Sequence, residues 1–201
     1  MKKTRLEAFS DAIIAIIMTI MVLEIVAPEG DGFSDLWNLR FKLLIYFLSF
    51  TTLAIYWNNH HHLFQLARKI NGKVLWLNMV LLFFLSLFPL TTAWVDEHLM
   101  SFVPEITYGF VGICANISYA LLSRALVTIN GKESALGMAI HSYKKSIVTI
   151  SINVLGIIIG MFFPPAIVIL YASSLTLWIV PERRIEAMFK QLEEEHKMNE
   201  S

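Results

Sequence analysis

The chain has 201 residues, of which 56% are hydrophobic, and its mean hydropathy is +0.61. This share exceeds the roughly 45–50% that is usual in soluble domains. The apolar runs also approach the roughly 20 residues that cross a bilayer, which excludes a small soluble domain. The formal net charge is zero and no basic block is interleaved with aromatic residues, which excludes nucleic acid as the main partner.

Six apolar segments follow one another along the chain, and each is predicted to form one membrane-spanning helix. They comprise residues 8–27, 38–63, 74–95, 105–128, 146–163 and 166–181. The pieces between them are short and carry the Pro, Gly, Asn and charged residues that are typical of loops, so neighbouring helices should pack antiparallel. The sequence therefore predicts an all-α, polytopic membrane protein with six transmembrane helices in one domain over residues 1–181.

The orientation of these helices is predicted from the distribution of basic residues, which are retained on the cytoplasmic side of a membrane. With the amino terminus inside, Arg40 and Lys42 alone fall outside, and the other 14 of the 16 lysines and arginines fall inside. One helix more or fewer would largely remove this asymmetry, so we expect both termini to be cytoplasmic. Residues 182–201 are predicted to form a short cytoplasmic amphipathic tail, because its apolar residues recur at helical spacing: Ile185, Met188, Phe189 and Leu192.

A polar motif opens the first apolar segment, with Arg5 followed after three residues by Phe9, Ser10 and Asp11. Ser10 and Asp11 are good acceptors for the free N–H groups of a first helical turn, which accounts for each of them separately. It does not account for Arg5 and Phe9. Ionisable residues at the edge of a membrane bundle indicate a role in function or assembly, and Arg5 and Asp11 are the candidates for a pair.

The spacing Arg-x-x-x-Phe-Ser-Asp at the start of an Ile-rich first helix resembles the motif of the lysosomal-type potassium channels, the transmembrane protein 175 family, and of their bacterial relatives. The resemblance extends over the whole chain in helical layout and over residues 1–24 in motif. It implies a passive, potassium-preferring cation channel of the bacterial cell membrane, with no cofactor and no catalytic residue. Since relatives with two six-helix repeats form a pore from two chains, it also implies that this chain forms a homotetramer.

The resemblance assigns the pore to the first helix, with Ile16 as the hydrophobic constriction, Thr19 above it and Leu23 as a further apolar layer. Spacings of three and four residues independently place these side chains on one helical stripe. An apolar stripe without the motif would indicate ordinary helix packing. No Thr-Val-Gly-Tyr-Gly loop is present, so selectivity by backbone carbonyls is not predicted, and a narrow apolar neck with the Thr19 hydroxyls as its polar ligands is expected instead.

The second apolar segment ends in the strongest polar cluster of the predicted membrane helices: Trp57, Asn58, Asn59, His60, His61 and His62. Three histidines suggest a metal, but consecutive helical residues point about 100° apart, and no carboxylate or cysteine follows at ligand spacing. We expect instead hydrogen bonds across helices, with Ser10 or Asp11 as acceptors. The resemblance implies the same, since family members carry aromatic and His residues here that brace the pore helix.

Two other functions stay open at this point. One is a membrane-embedded, metal-dependent enzyme or metal carrier that uses the cluster His60–His62. The other is a membrane scaffold that conducts nothing. The channel hypothesis expects potassium and other monovalent cations, the lipid bilayer and further copies of the same chain as partners.

Overall fold

The structure, a computed structural model, describes residues 2–140 and 144–179, so the tail predicted over residues 182–201 lies outside the described residues. Within the described ranges the regular elements are nine helices and no strand, which confirms the all-α prediction. The helices are α1 (Lys3–Leu23), α2 (Phe33–Asn38), α3 (Arg40–Leu66), α4 (Gly72–Ser86), α5 (Phe88–Glu97), α6 (Phe102–Asn130), α7 (Ala135–Ala139), α8 (Lys144–Gly160) and α9 (Ala166–Ile179).

Three stretches of the described chain are long and apolar enough to cross a membrane. They are Lys3–Leu23, Gly72–Glu97 and Phe102–Asn130, with 21, 26 and 29 residues. A fourth apolar helix, Ala166–Trp178, is shorter. Each of the six predicted segments overlaps at least one helix of the structure.

The segment predicted as one helix over residues 74–95 is divided in the structure. α4 ends at Ser86 and α5 begins at Phe88, with Leu87 between them in a nearly helical conformation. Pro89 lies in the first turn of α5. A proline has no N–H to donate to the carbonyl four residues earlier, here that of Leu85, and its ring crowds that carbonyl. The break is therefore a local kink within one continuous apolar stretch, Gly72–Glu97.

The first helix begins five residues earlier than the sequence predicts and ends at Leu23. The additional first turn is polar and contains Lys3, Arg5 and Glu7, which are all good helix formers. At the other end, Pro28 disfavours helical geometry for the residue before it, and the chain from Ile25 to Pro28 is irregular.

α1 packs against α3, α4 and α5 through one narrow stripe of side chains. The buried residues of this stripe follow one another at spacings of three or four: Leu6, Ser10, Ile14, Ile17 and Met21. This period is that of an α-helix with a single covered face. The packing therefore fixes the rotation of α1 and leaves the opposite face outside the single subunit.

Glycines allow α9 to pack closely against α6 and α8. A Cβ atom added at Gly109 would lie 2.6 Å from Cγ2 of Ile167, and one added at Gly112 or Gly160 would collide with Tyr171 or Ile167. Small residues at such helix contacts let the backbones approach, which is common in membrane bundles. Gly109 belongs to the stretch Thr107–Phe110 that most nearly resembles a carbonyl filter in sequence, but here it lies inside α6.

Candidate functional site

The face of α1 that no other described helix covers carries the stripe predicted from the sequence. Ile16 is 56% exposed and Leu23 is 79% exposed, and Thr19 between them is also exposed. Ile17, the neighbour of Ile16, is only 4% exposed. Large aliphatic side chains therefore point away from the subunit at the positions for which the sequence predicts a pore.

Thr19 uses its hydroxyl hydrogen within its own helix. Its Oγ1 donates to the carbonyl of Ile16 over 2.8 Å. This back-bond is common for threonine in helices, and it directs the lone pairs of Oγ1 away from the helix. Since Thr19 is exposed, its oxygen is presented as an acceptor or a cation ligand and not as a donor.

A buried chain of hydrogen bonds joins α1 to α4 and α3. The Oγ of Ser10 accepts from Nδ2 of Asn78 over 2.9 Å and donates to the carbonyl of Leu6 over 2.9 Å. The Oδ1 of Asn78 lies 2.8 Å from Nε2 of His60. Because the amide nitrogen of Asn78 is used for Ser10, its oxygen faces the imidazole and His60 Nε2 must be the donor. Ser10, Asn78 and His60 are all at most 1% exposed.

A second connection joins α1 to α3 beside this buried chain. The indole Nε1 of Trp57 donates to Oδ1 of Asp11 over 3.0 Å. The Trp57 ring stacks on His61 with the ring centres 5.8 Å apart, and Nε2 of His61 lies 2.7 Å from Nε2 of Gln65. Ser10 and Asp11 thus contact α4 and α3 respectively, and together they hold α1 in one rotation.

The other members of the motif are not brought together in this way. Arg5 is exposed, and the described residues contain no ion pair between Arg5 and Asp11. Phe9 is 44% exposed. Asn58, from the polar cluster at the end of α3, is half-buried and makes no side-chain hydrogen bond to a described residue. The first turn of α1 is instead fixed by Lys3.

Lys3 connects the start of α1 to the end of α3, and the sequence gives no indication of this role. Its Nζ donates to the carbonyl of Phe64 over 2.8 Å and lies 3.5 Å from a carboxylate oxygen of Glu7. The last carbonyls of a helix lack partners within the helix and attract a cation. The sequence prediction did not include Asn78 either, although a single amide within the apolar run of α4 could have indicated a buried polar contact.

The histidines at the end of α3 point to different partners. His60 contacts Asn78 on α4, whereas His61 contacts Gln65 on its own helix. In the part of the chain that the structure describes, no three His, Cys, Asp or Glu side chains are grouped so that they could hold a metal ion. This arrangement supports a role in helix contacts.

A cleft runs beside the exposed face of α1, between this helix and the kinked pair α4 and α5. Its volume is about 440 Å³. Its lining is apolar apart from Glu24 and Ser86, and includes Ile13, Ile16, Ile17, Ile20, Pro89, Leu90 and Ala93. The cleft is continuous with the stripe through Ile16, so whatever covers one also lies next to the other.

Comparison with known proteins gives consistent matches. The family model described as endosomal/lysosomal potassium channel TMEM175 matches residues 5–89, and so begins at Arg5. A potassium channel of Chryseobacterium sp. (strain P1-3) is 43% identical over 191 residues, which are 95% of this chain and 100% of that protein. A potassium channel of Streptomyces collinus is 30% identical over 126 residues, which are 59% of this chain and 61% of that protein.

A solved structure matches the fold as well. The crystal structure of a lysosomal potassium-selective channel TMEM175 homolog from Chamaesiphon minutus gives a TM-score of 0.68 at 22% identity. The match covers 87% of this chain and 95% of that one. At this identity the likeness concerns the fold, and it places nearly all of the chain in one known helical arrangement.

Proposed function

The chain belongs to the TMEM175 channel family, and from this premise we propose that it is a potassium-preferring cation channel whose first helix lines the pore. The observation that carries the proposal is the exposed stripe of Ile16, Thr19 and Leu23 on α1. In a relative that is similar over its full length, potassium conduction is the named function.

The neck of this pore is formed by apolar rings. Copies of Ile16 that meet on an axis give a ring that repels water unless the helices move apart, and Leu23 adds a second ring. The Thr19 oxygen lies between them as the polar ligand, since its hydrogen is held by the carbonyl of Ile16. Such a neck should select among cations less sharply than a cage of carbonyl oxygens.

Several copies of the chain are needed, because one α1 cannot enclose a pore. We propose a homotetramer, in which the α1 helices surround the axis and each cleft of about 440 Å³ beside Ile16 receives part of the next subunit. The apolar lining of the cleft supports a protein or lipid neighbour and argues against open water at this position.

We propose that the subunit crosses the bacterial cell membrane six times, with both termini in the cytoplasm. The crossings are α1, α3, the pair α4 and α5, α6, α8 and α9. The support is the distribution of basic residues, of which only Arg40 and Lys42 among 16 fall on the outer side. In this arrangement residues 1–181 form the channel domain, and residues 182–201 are a cytoplasmic tail.

The metal-dependent enzyme or carrier receives no support. The relatives are channels, and His60 and His61 are committed to Asn78 and Gln65. The protein is therefore assigned to the channels and not to the enzymes.

The proposed function is tested by potassium flux from liposomes that contain the purified full chain, with protein-free liposomes as the control. We expect flux for potassium and a smaller one for sodium, and no stoichiometric metal in an elemental assay of the same sample.

Thr19→Val keeps the shape of the side chain but removes its oxygen, so the preference for potassium in bi-ionic solutions should fall. Protein that assembles but passes no cation would contradict the channel function, and an unchanged preference in a conducting variant would remove Thr19 from the filter.

A further inference from the structure

A basic cleft lies at the opposite end of the subunit from Leu23, where α3 and α6 end. Its volume is about 770 Å³. It is lined by Leu66, Arg68, Lys69, Asn130 and Gly131 and by the following residues Lys132, Glu133, Ser134 and Ala135. We call it the basic cleft, because three of its side chains are cationic and one is anionic.

The cations of the basic cleft have no ion-pair partner among the described residues. Arg68, Lys69 and Lys132 are exposed, and none of them forms an ion pair in the part of the chain that the structure describes. Glu133 offsets one of the three charges, so the lining keeps a formal charge excess of two. Three unpaired cations around one concave surface produce a positive potential that is focused in the cleft.

The wall of the basic cleft is fixed by Asn130. Its Oδ1 accepts from the backbone N–H groups of both Arg68 and Lys69 over 2.8 Å. Its Nδ2 donates to the carbonyls of Lys69 and Leu126 over 3.0 and 2.9 Å. The three bonds to Arg68 and Lys69 join the loop after α3 to the end of α6, while the bond to Leu126 anchors Asn130 to its own helix. The backbone at Arg68 and Lys69 is thereby held in place, and both side chains stay available.

We propose that the basic cleft binds the phosphate group of an anionic headgroup at the cytoplasmic membrane surface. The ends of α3 and α6 lie at the depth of the lipid headgroups if these helices span the bilayer, and basic pockets between helices on this side are suited to anionic headgroups. Arg68 can bind two phosphate oxygens at once, while Lys69 and Lys132 act as point charges. The cytoplasmic placement rests on the orientation proposed above, but binding does not require conduction.

The test uses the purified full chain in a neutral detergent, titrated with dioctanoyl phosphatidylglycerol, dioctanoyl phosphatidylcholine or inorganic phosphate. Bound ligand is counted by native mass spectrometry and by the shift of the unfolding temperature. The double variant Lys69→Gln with Lys132→Gln removes two cleft charges. The matched control, Lys2→Gln with Lys73→Gln, removes two exposed charges from the same end of the subunit outside the cleft.

We expect phosphatidylglycerol to bind and the cleft variant to raise its half-saturating concentration about 10- to 30-fold, with about threefold or less for the control. Saturation by phosphatidylglycerol alone would identify the lipid as the source of the phosphate, and saturation by inorganic phosphate as well would identify a soluble ligand of the same site. Equal losses in both double variants, or equal binding of phosphatidylcholine, would overturn the proposal. If the cleft variant is poorly folded, Arg68→Gln alone serves instead, since Asn130 contacts only the backbone at Arg68.

Discussion

Ile16 and Ile17 are adjacent in α1 but have opposite surroundings, since Ile16 is 56% exposed and Ile17 is 4% exposed. Ile16→Asn should wet the proposed neck, because an amide in each subunit supplies the hydrogen bonds that isoleucine withholds. Cation flux should rise and the preference for potassium should fall. Ile17→Asn instead buries an amide among apolar side chains and should destabilise the fold by about 1–3 kcal/mol.

Liposome flux and the yield of folded oligomer, measured for both variants in parallel, make this comparison internal to one helix. A leaky Ile17→Asn protein together with a misfolded Ile16→Asn protein would mean that the pore lies on the other face of α1. If neither variant changes conduction, α1 does not line the pore.

Asn78 is the residue on which the buried chain from Ser10 to His60 depends. Asn78→Leu leaves the imidazole N–H and the Ser10 hydroxyl without this partner in an apolar interior, and each lost partner costs about 1–3 kcal/mol. We expect a lower unfolding temperature and a loss of flux, because the rotation of α1 is then held by its packed stripe and the bond from Trp57 to Asp11 alone. Asn58→Leu is the matched control, since Asn58 makes no side-chain hydrogen bond to a described residue. Similar losses in both variants would show that the loss at position 78 does not come from the hydrogen bonds of Asn78.

At the scale of the helices, the contact between α6 and α9 depends on Gly112, whose missing side chain makes room for the Tyr171 ring. Gly112→Ala forces the two helices apart, and overpacking of this kind costs about 1–3 kcal/mol. Gly72→Ala at the start of α4 is the control, because a Cβ atom there meets nothing within 4 Å. The unfolding temperature in detergent should fall for the first variant and stay the same or rise slightly for the second. A stable Gly112→Ala protein would imply that Tyr171 can move aside without loss.

The long apolar helices were predictable from the sequence because long apolar runs and loop residues indicate a bilayer environment, whereas the short helices α2 and α7 were not predicted. The helical stripe through Ile16 was predictable from its spacing and motif. The sequence shows Pro89, but it does not show whether the helix ends there or resumes after a kink. Asn78 and Lys3 could not be assigned, because their partners Ser10 and Phe64 lie 68 and 61 residues away in the chain. Such contacts depend on how the helices rotate against each other, which apolar periodicity alone leaves open.

At the scale of the whole molecule, the uncovered face of α1 and the adjacent cleft are parts of one surface. Ile16, Ile20 and Leu90 line the cleft together, and Leu90 is 66% exposed in the single subunit. Lipid chains would not match the shape of this cleft closely. A neighbouring subunit could fill it by van der Waals packing, which is the main source of association between helices in a membrane. The cleft is therefore where the proposed tetramer should be most sensitive to a change in volume.

Leu90→Trp enlarges an apolar side chain in this cleft without introducing charge, so it should disturb packing between subunits while leaving the subunit itself folded. Overpacking should cost about 1–3 kcal/mol of association free energy at each contact between subunits. The contact recurs in every subunit of a closed ring, so the costs add up. Ile169→Trp is the matched control, because Ile169 is 57% exposed on α9 and does not line the cleft. Native mass spectrometry should find the four-chain species with the Ile169→Trp protein and single chains or dimers with the Leu90→Trp protein, while helical content by circular dichroism stays equal. Four-chain species in both variants would show that the cleft faces lipid, and the α1 stripe would then have to meet its copies through another contact.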